Sequence, residues 1–154
     1  MSVASPLVEE HRAPASQATL ESLAASEHSE CLLCGPENPL GLKLRFRVQQ
    51  DGSVLAVLQC REAFRSYPNT LHGGVISALL DAAMTNALFA VGVVGVTAEL
   101  TVRFLAPVTL NRSAVVRGSV EKDAPPLFYL RAELEQDRKV MARATATFWV
   151  DGYA

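Results

Sequence analysis

The sequence has no basic surplus: 14 lysines and arginines stand against 16 aspartates and glutamates, a formal charge of −2 over 154 residues. A nucleic-acid binder needs the opposite balance, so that class is set aside. Long apolar runs are missing too. The longest, ALFAVGVVGVTA at 87–98, falls far short of the roughly 20 residues that span a bilayer. The first residues, MSVASPLVEEHRAPAS, carry acids where a secretory leader has a cationic start and an apolar stretch. Cysteine is scarce, three in all, and the three form no disulfide framework. A cytoplasmic protein without membrane or nucleic-acid partners is expected. Outside a secreted setting, the glycosylation sequon Asn111-Arg112-Ser113 carries no meaning.

What is present fits one domain with a real core, since 49% of the residues are hydrophobic. Residues 1–28 are rich in Ala, Ser and Glu and read as a loose tail, with one short helix over Gln17–Ala25. The domain proper is placed at 29–154. Leu42, Leu44, Phe46 and Val48 alternate with Lys43, Arg45, Arg47 and Gln49, the period of a half-buried strand. Asp51-Gly52 turns the chain into a returning strand, Val54–Cys60. Val75–Val91 reads as one mostly buried helix, ended by Gly92 and Gly95. Four strand-like runs follow, around 100–105, 115–122, 128–135 and 139–150, with Asp123-Ala124-Pro125-Pro126 and Asp137-Arg138 as punctuation. The order ββαββββ with short turns predicts an α+β domain: one long helix against a curved antiparallel sheet of about six strands.

That helix carries an aspartate, Asp81, among apolar neighbours. Helical spacing puts Ser77, Asp81 and Thr85 on one face, with Gly74 and Ala78 beside them. A lone carboxylate in hydrocarbon costs several kcal/mol, so Asp81 needs a hydrogen-bond network, a partner across an interface, or water. The turn His72-Gly73-Gly74 opens the same helix, where backbone N–H groups lack intrahelical acceptors. Glycines let a substrate approach such donors, which can polarise a carbonyl. A polarising turn followed by a carboxylate is an acyl-transfer constellation.

The stretches LHGGVISALLDAAM (71–84) and GVTAELTVRFLAPV (95–108), with CLLCGPENPLGLKLRF (31–46) upstream, resemble the hotdog-fold acyl-CoA thioesterases, specifically the PaaI-like, phenylacetate-pathway type. The resemblance runs from about residue 31 to the end of the chain. It implies a homo-oligomer, dimer or tetramer, with active sites at subunit interfaces. It also implies that Asp81 is the catalytic nucleophile or general base and that the Gly73 N–H polarises the thioester carbonyl. His72 would arrange the turn, and Thr97 would orient the attacking water. Relatives often carry an asparagine six residues before the histidine; here that position is Ser66, and the nearest asparagine is Asn69. Together with Gly74, Ser77 and Thr85, these two are expected at the substrate.

No metal or separate cofactor is expected, because a thioester carbonyl is already electrophilic; coenzyme A belongs to the substrate. Cys31-x-x-Cys34 lacks a second ligand pair at zinc spacing, with His28 only a loose candidate, and reads as a structural loop with two packed thiols. Arg103 and Arg117 flank the expected cleft strands and are candidates for the coenzyme A phosphates, since arginine matches phosphate with a planar fork. His11 and His28 are given no role. The expected activity is hydrolysis of a medium-chain or aryl acyl-CoA to free acid and coenzyme A. The alternative is a non-catalytic acyl-CoA-binding domain, a sensor or subunit, encouraged by Ser66 standing where the asparagine is expected.

Overall fold

The computed structural model describes residues 12–150. Helix α1 (Gln17–Glu27) leads, followed by β1 (Arg47–Val48) and β2 (Val54–Gln59). A 3₁₀ turn (Glu62–Phe64) precedes the long helix α2 (Gly73–Ala90), and β3 (Gly95–Phe104), β4 (Ser113–Ala124), β5 (Leu127–Gln136) and β6 (Lys139–Val150) complete the chain. The six strands form one sheet in the order β1-β2-β4-β5-β6-β3. Every neighbouring pair is antiparallel, so β1 and β3 are the edges. This is the hotdog arrangement, with α2 as the wrapped helix.

Composition explains the wrapping. From Ala82 to Ala90 every residue of α2 is buried, including Met84, Leu88 and Phe89 with no exposed surface. A helix apolar on all sides needs cover on more than one side. The curved sheet gives it, most closely at β4. There Gly118 stands under the helix backbone: a Cβ at this position would lie 2.5 Å from the Ala83 carbonyl oxygen. By length and composition alone α2 is apolar enough to cross a bilayer; here it is the core helix. It stops at Gly92, whose φ of 80° lets the N–H groups of Gly92 and Val93 fold back onto the carbonyls of Phe89 and Leu88.

Several expectations shift in detail. The helix begins two residues earlier than Val75, and Gly95 does not end it but opens β3, where the Val150 side chain and Trp149 carbonyl leave no room for a Cβ. The strand expected from Leu42 pairs with β2 only at Arg47 and Val48. Leu44 and Phe46 are buried as the alternation requires, but Lys43 takes a φ of 53° and the N–H groups of Leu42 and Leu44 bond to Leu32 and Leu33 instead. Burial periodicity was the right signal; ladder pairing did not follow from it.

The helix expected over Gln17–Ala25 forms and runs to Glu27. It is packed rather than loose: Leu20 is buried, and the Gln17 side chain accepts from Val48 N–H and donates to the Phe46 carbonyl. Burying one leucine is worth about 2 kcal/mol. Residues 1–11 of the expected tail, with His11, lie outside the described residues.

Candidate active site

Asp81 is half-exposed on α2, and one bond defines its surroundings. The Thr97 hydroxyl donates to Asp81 Oδ1 at 2.6 Å. A hydroxyl on a carboxylate at that separation is a short charge-assisted hydrogen bond. Strand alternation alone would not bring the two together. Glu99, Thr101 and Arg103 pair with Thr147, Thr145 and Arg143, on the sheet face away from α2. Thr97, also odd-numbered, would join them. A bulge between Thr97 and Glu99 resets the register, so Thr97 sits opposite the fully buried Phe148, facing the helix.

The other group is the turn at the helix start. His72 is the N-cap: its Nδ1 accepts from the Gly74 N–H at 2.8 Å, so a neutral ring carries its proton on Nε2. Gly74, expected at the substrate, therefore has its N–H occupied. The Ile76 N–H is bonded to the His72 carbonyl. Gly73, the first residue of the helix, has a backbone N–H with no preceding helical carbonyl to meet. It opens onto a cleft of about 350 Å³ lined by Ser66, Tyr67, Leu71, Ile76, Phe104, Leu105 and Val108. Phe104 Cε1 and Cζ lie 3.5 Å from where a Gly73 Cβ would be.

The remaining predicted residues divide. Ser66 joins Gly73 at the cleft. Asn69 takes a φ of 59° in the turn closed by Thr70 N–H to the Tyr67 carbonyl, a conformation asparagine tolerates. Its own carbonyl accepts from Leu110, so its place in the chain has a conformational reason. The hydroxyls of Ser77 and Thr85 turn back onto the α2 carbonyls of Gly73 and Asp81, and Thr85 is buried. Arg103 and Arg117 lie on the face of the sheet away from α2, in one row with Glu133 and Arg143. Arg117 donates to the Ser53 hydroxyl at 3.1 Å. Neither arginine flanks the Asp81 side of the sheet, contrary to the reason for which both were singled out. The apolar lining from Tyr67, Phe104 and Leu105 was missed, although the alternation of Leu100, Val102 and Phe104 pointed one end of that row toward the helix start.

A family model described as the thioesterase superfamily matches residues 68–145, half of the chain. The chain belongs to the thioesterase superfamily. It is a thioester hydrolase of the PaaI-like hotdog type. Among solved structures, a thioesterase superfamily protein shares 26% identity with a TM-score of 0.70, over 74% of this chain and 60% of the other. A phenylacetic acid degradation-related thioesterase from Ralstonia eutropha JMP134 shares 27% identity at a TM-score of 0.65, over 71% of this chain and 86% of its own. A hypothetical thioesterase from Streptococcus pneumoniae, solved with coenzyme A, shares the fold at 20% identity and a TM-score of 0.66, over 71% and 89%. A search of curated proteins finds no match.

Within this superfamily member, the two halves of the site stand apart. Gly73 and Asp81 are eight residues apart on one helix, about 12 Å along its axis at 1.5 Å per residue. An oxyanion donor and a nucleophile working on one carbonyl must both lie within about 3 Å of its atoms. A short aspartate side chain does not close that gap. The Gly73 N–H and the Asp81–Thr97 pair thus stand at separate places along α2.

Proposed function

We propose that this thioesterase hydrolyses an acyl-CoA with an apolar acyl group, medium-chain or aryl, to the free acid and coenzyme A. The observation that carries the reading is the 2.6 Å bond that holds the Asp81 carboxylate to Thr97, on a helix that begins at the free Gly73 N–H. In this reading each active site combines Gly73 of one protomer with Asp81 and Thr97 of another. Two features support it: the axial gap of about 12 Å, and the open edge of β3. That edge pairs with β6 on one side only, and Val96 and Phe104 on it are 50% and 54% exposed. An unpaired ten-residue edge with apolar side chains favours pairing with a second copy.

In the reaction, the Gly73 N–H donates to the carbonyl oxygen as negative charge develops there. Asp81 either attacks the carbonyl carbon, or takes a proton from water that attacks it. On the first route an anhydride forms, coenzyme A leaves as its thiolate, and water then cleaves the anhydride, releasing the proton that the thiolate takes up. On the second, the tetrahedral intermediate expels coenzyme A directly. Thr97 positions the carboxylate on either route, and its oxygen can accept from the water. Tyr67, Phe104 and Leu105 give the cleft an apolar wall for the acyl group. The coenzyme A complex of the pneumococcal relative supports the class of leaving group.

The test is thiol release from short, long and aromatic acyl-CoAs by wild type and Asp81→Asn. Turnover by wild type and a loss of about 100-fold or more in the variant, with the fold intact, is expected. Binding of acyl-CoA without turnover by either protein contradicts the proposal in favour of a binding domain.

A further inference from the structure

At the end of α1, the structure gathers three metal-ligating side chains that the chain spreads over two segments. His28 is the C-cap residue of α1, while Cys31 and Cys34 lie in the loop that follows. We propose that His28, Cys31 and Cys34 bind one zinc ion, which pins this loop to α1 and α2. Their ligand atoms all lie within 4.8 Å of one another. The separation of Cys34 Sγ and His28 Nδ1 is 3.6 Å. Two ligands on a tetrahedral zinc, one sulfur at about 2.3 Å and one nitrogen at about 2.0–2.1 Å, stand about 3.6 Å apart.

Each ligand is held in place by something else. The Leu33 N–H donates to Cys31 Sγ at 3.4 Å, and an amide aimed at sulfur stabilises a thiolate. The Gly35 N–H closes the turn on the Cys31 carbonyl at 2.9 Å, so tightly that a Gly35 Cβ would lie 2.3 Å from the Cys31 nitrogen. The His28 ring packs edge-on against Phe89 of α2, centroids 4.9 Å apart. Cys34 and Asn86 of α2 line one pocket beside α1. Sequence spacing offered two ligands and no second pair; α1 ends where it delivers the third.

Charge selects the occupant. A neutral imidazole has a lone pair to give. Two thiolates in this setting are costly alone, but with one divalent cation the set is neutral. Two sulfurs and a nitrogen suit zinc rather than magnesium or calcium. Three protein ligands leave a fourth tetrahedral position for water. A thiol-to-imidazole hydrogen bond would explain the 3.6 Å contact by itself, but not the convergence of Cys31 on the same point.

The full chain, stripped with a chelator under reducing conditions, is titrated with Co²⁺ and then Zn²⁺. The expected result is one cobalt per chain, a sulfur-to-cobalt charge-transfer band, and visible bands of tetrahedral intensity that zinc bleaches. Zinc also protects two of the three thiols from a thiol reagent. Cys31→Ala and His28→Gln, both at half-buried positions, each weaken cobalt binding by roughly 100-fold or more, while Cys60→Ala leaves the spectrum unchanged. Absence of the charge-transfer band in wild type at saturating cobalt overturns the proposal. So does a band that survives Cys31→Ala, or a chain that isolates as a Cys31–Cys34 disulfide and takes no metal. The wild-type titration stands even where a variant fails to fold.

Discussion

At the scale of single residues, the site depends on one unpaired position. Without the bulge between Thr97 and Glu99, Thr97 would face away from α2 with Glu99 and Arg103, and Asp81 would lose its hydroxyl. A hydrogen bond to a charged group is worth about 1.5–3 kcal/mol. Thr97→Ala is therefore expected to slow turnover by about 10- to 100-fold, and Thr97→Ser to recover most of it, read as kcat on a fixed acyl-CoA. The sequence alone singles out Asp81, Gly73, His72 and Thr97, and the structure bonds Thr97 to Asp81 and makes His72 the cap of the helix that Gly73 opens. The bulge was not legible in the sequence, because a period of two carries no mark of the place where one residue drops out of the ladder. Nor did the sequence indicate that Ser77 and Thr85 bond to their own helix, since helical spacing gives a face and not the direction of a hydroxyl.

At the scale of elements, the contact between α2 and β4 fixes where the site sits. The helix backbone rests on Gly118, and the sheet curves around it from there. Gly118→Ala puts a methyl 2.5 Å from the Ala83 carbonyl oxygen, and neither main chain can yield as a side chain would. A loss of about 1–3 kcal/mol in unfolding free energy is expected from such overpacking, measured as a lower denaturant midpoint at unchanged slope. An unchanged midpoint would mean that the helix can lift off the sheet without cost. The element order and the antiparallel sheet were readable because α2 is long and apolar and because β5 and β6 alternate cleanly around the turn at Asp137-Arg138, where both residues take positive φ. The segment from Leu42 was harder. Its buried leucine and phenylalanine are served by a loop that bonds to Leu32 and Leu33, and periodicity does not distinguish that partner from a strand.

At the scale of the whole molecule, the proposed catalyst is more than one chain. Eight residues of helix separate Gly73 from Asp81, so the proposed active site draws the donor and the carboxylate from different protomers. Gly73→Pro removes the donor N–H with little else disturbed. Position 73 is the first of the helix, where proline is tolerated, and the preceding His72 already has φ −63° and ψ 131°, which proline accepts after it. Alone, Gly73→Pro and Asp81→Asn are each expected to be nearly inactive. Mixed in equal amounts and allowed to exchange subunits, they form hybrid pairs. In such a pair one site carries both lesions and the other carries neither. The measurement is thiol release from that mixture. Recovery to about a quarter of the wild-type rate, from random pairing of two chain types, is the predicted result. A mixture no more active than its parts, with exchange shown by mass, would contradict an active site shared between chains.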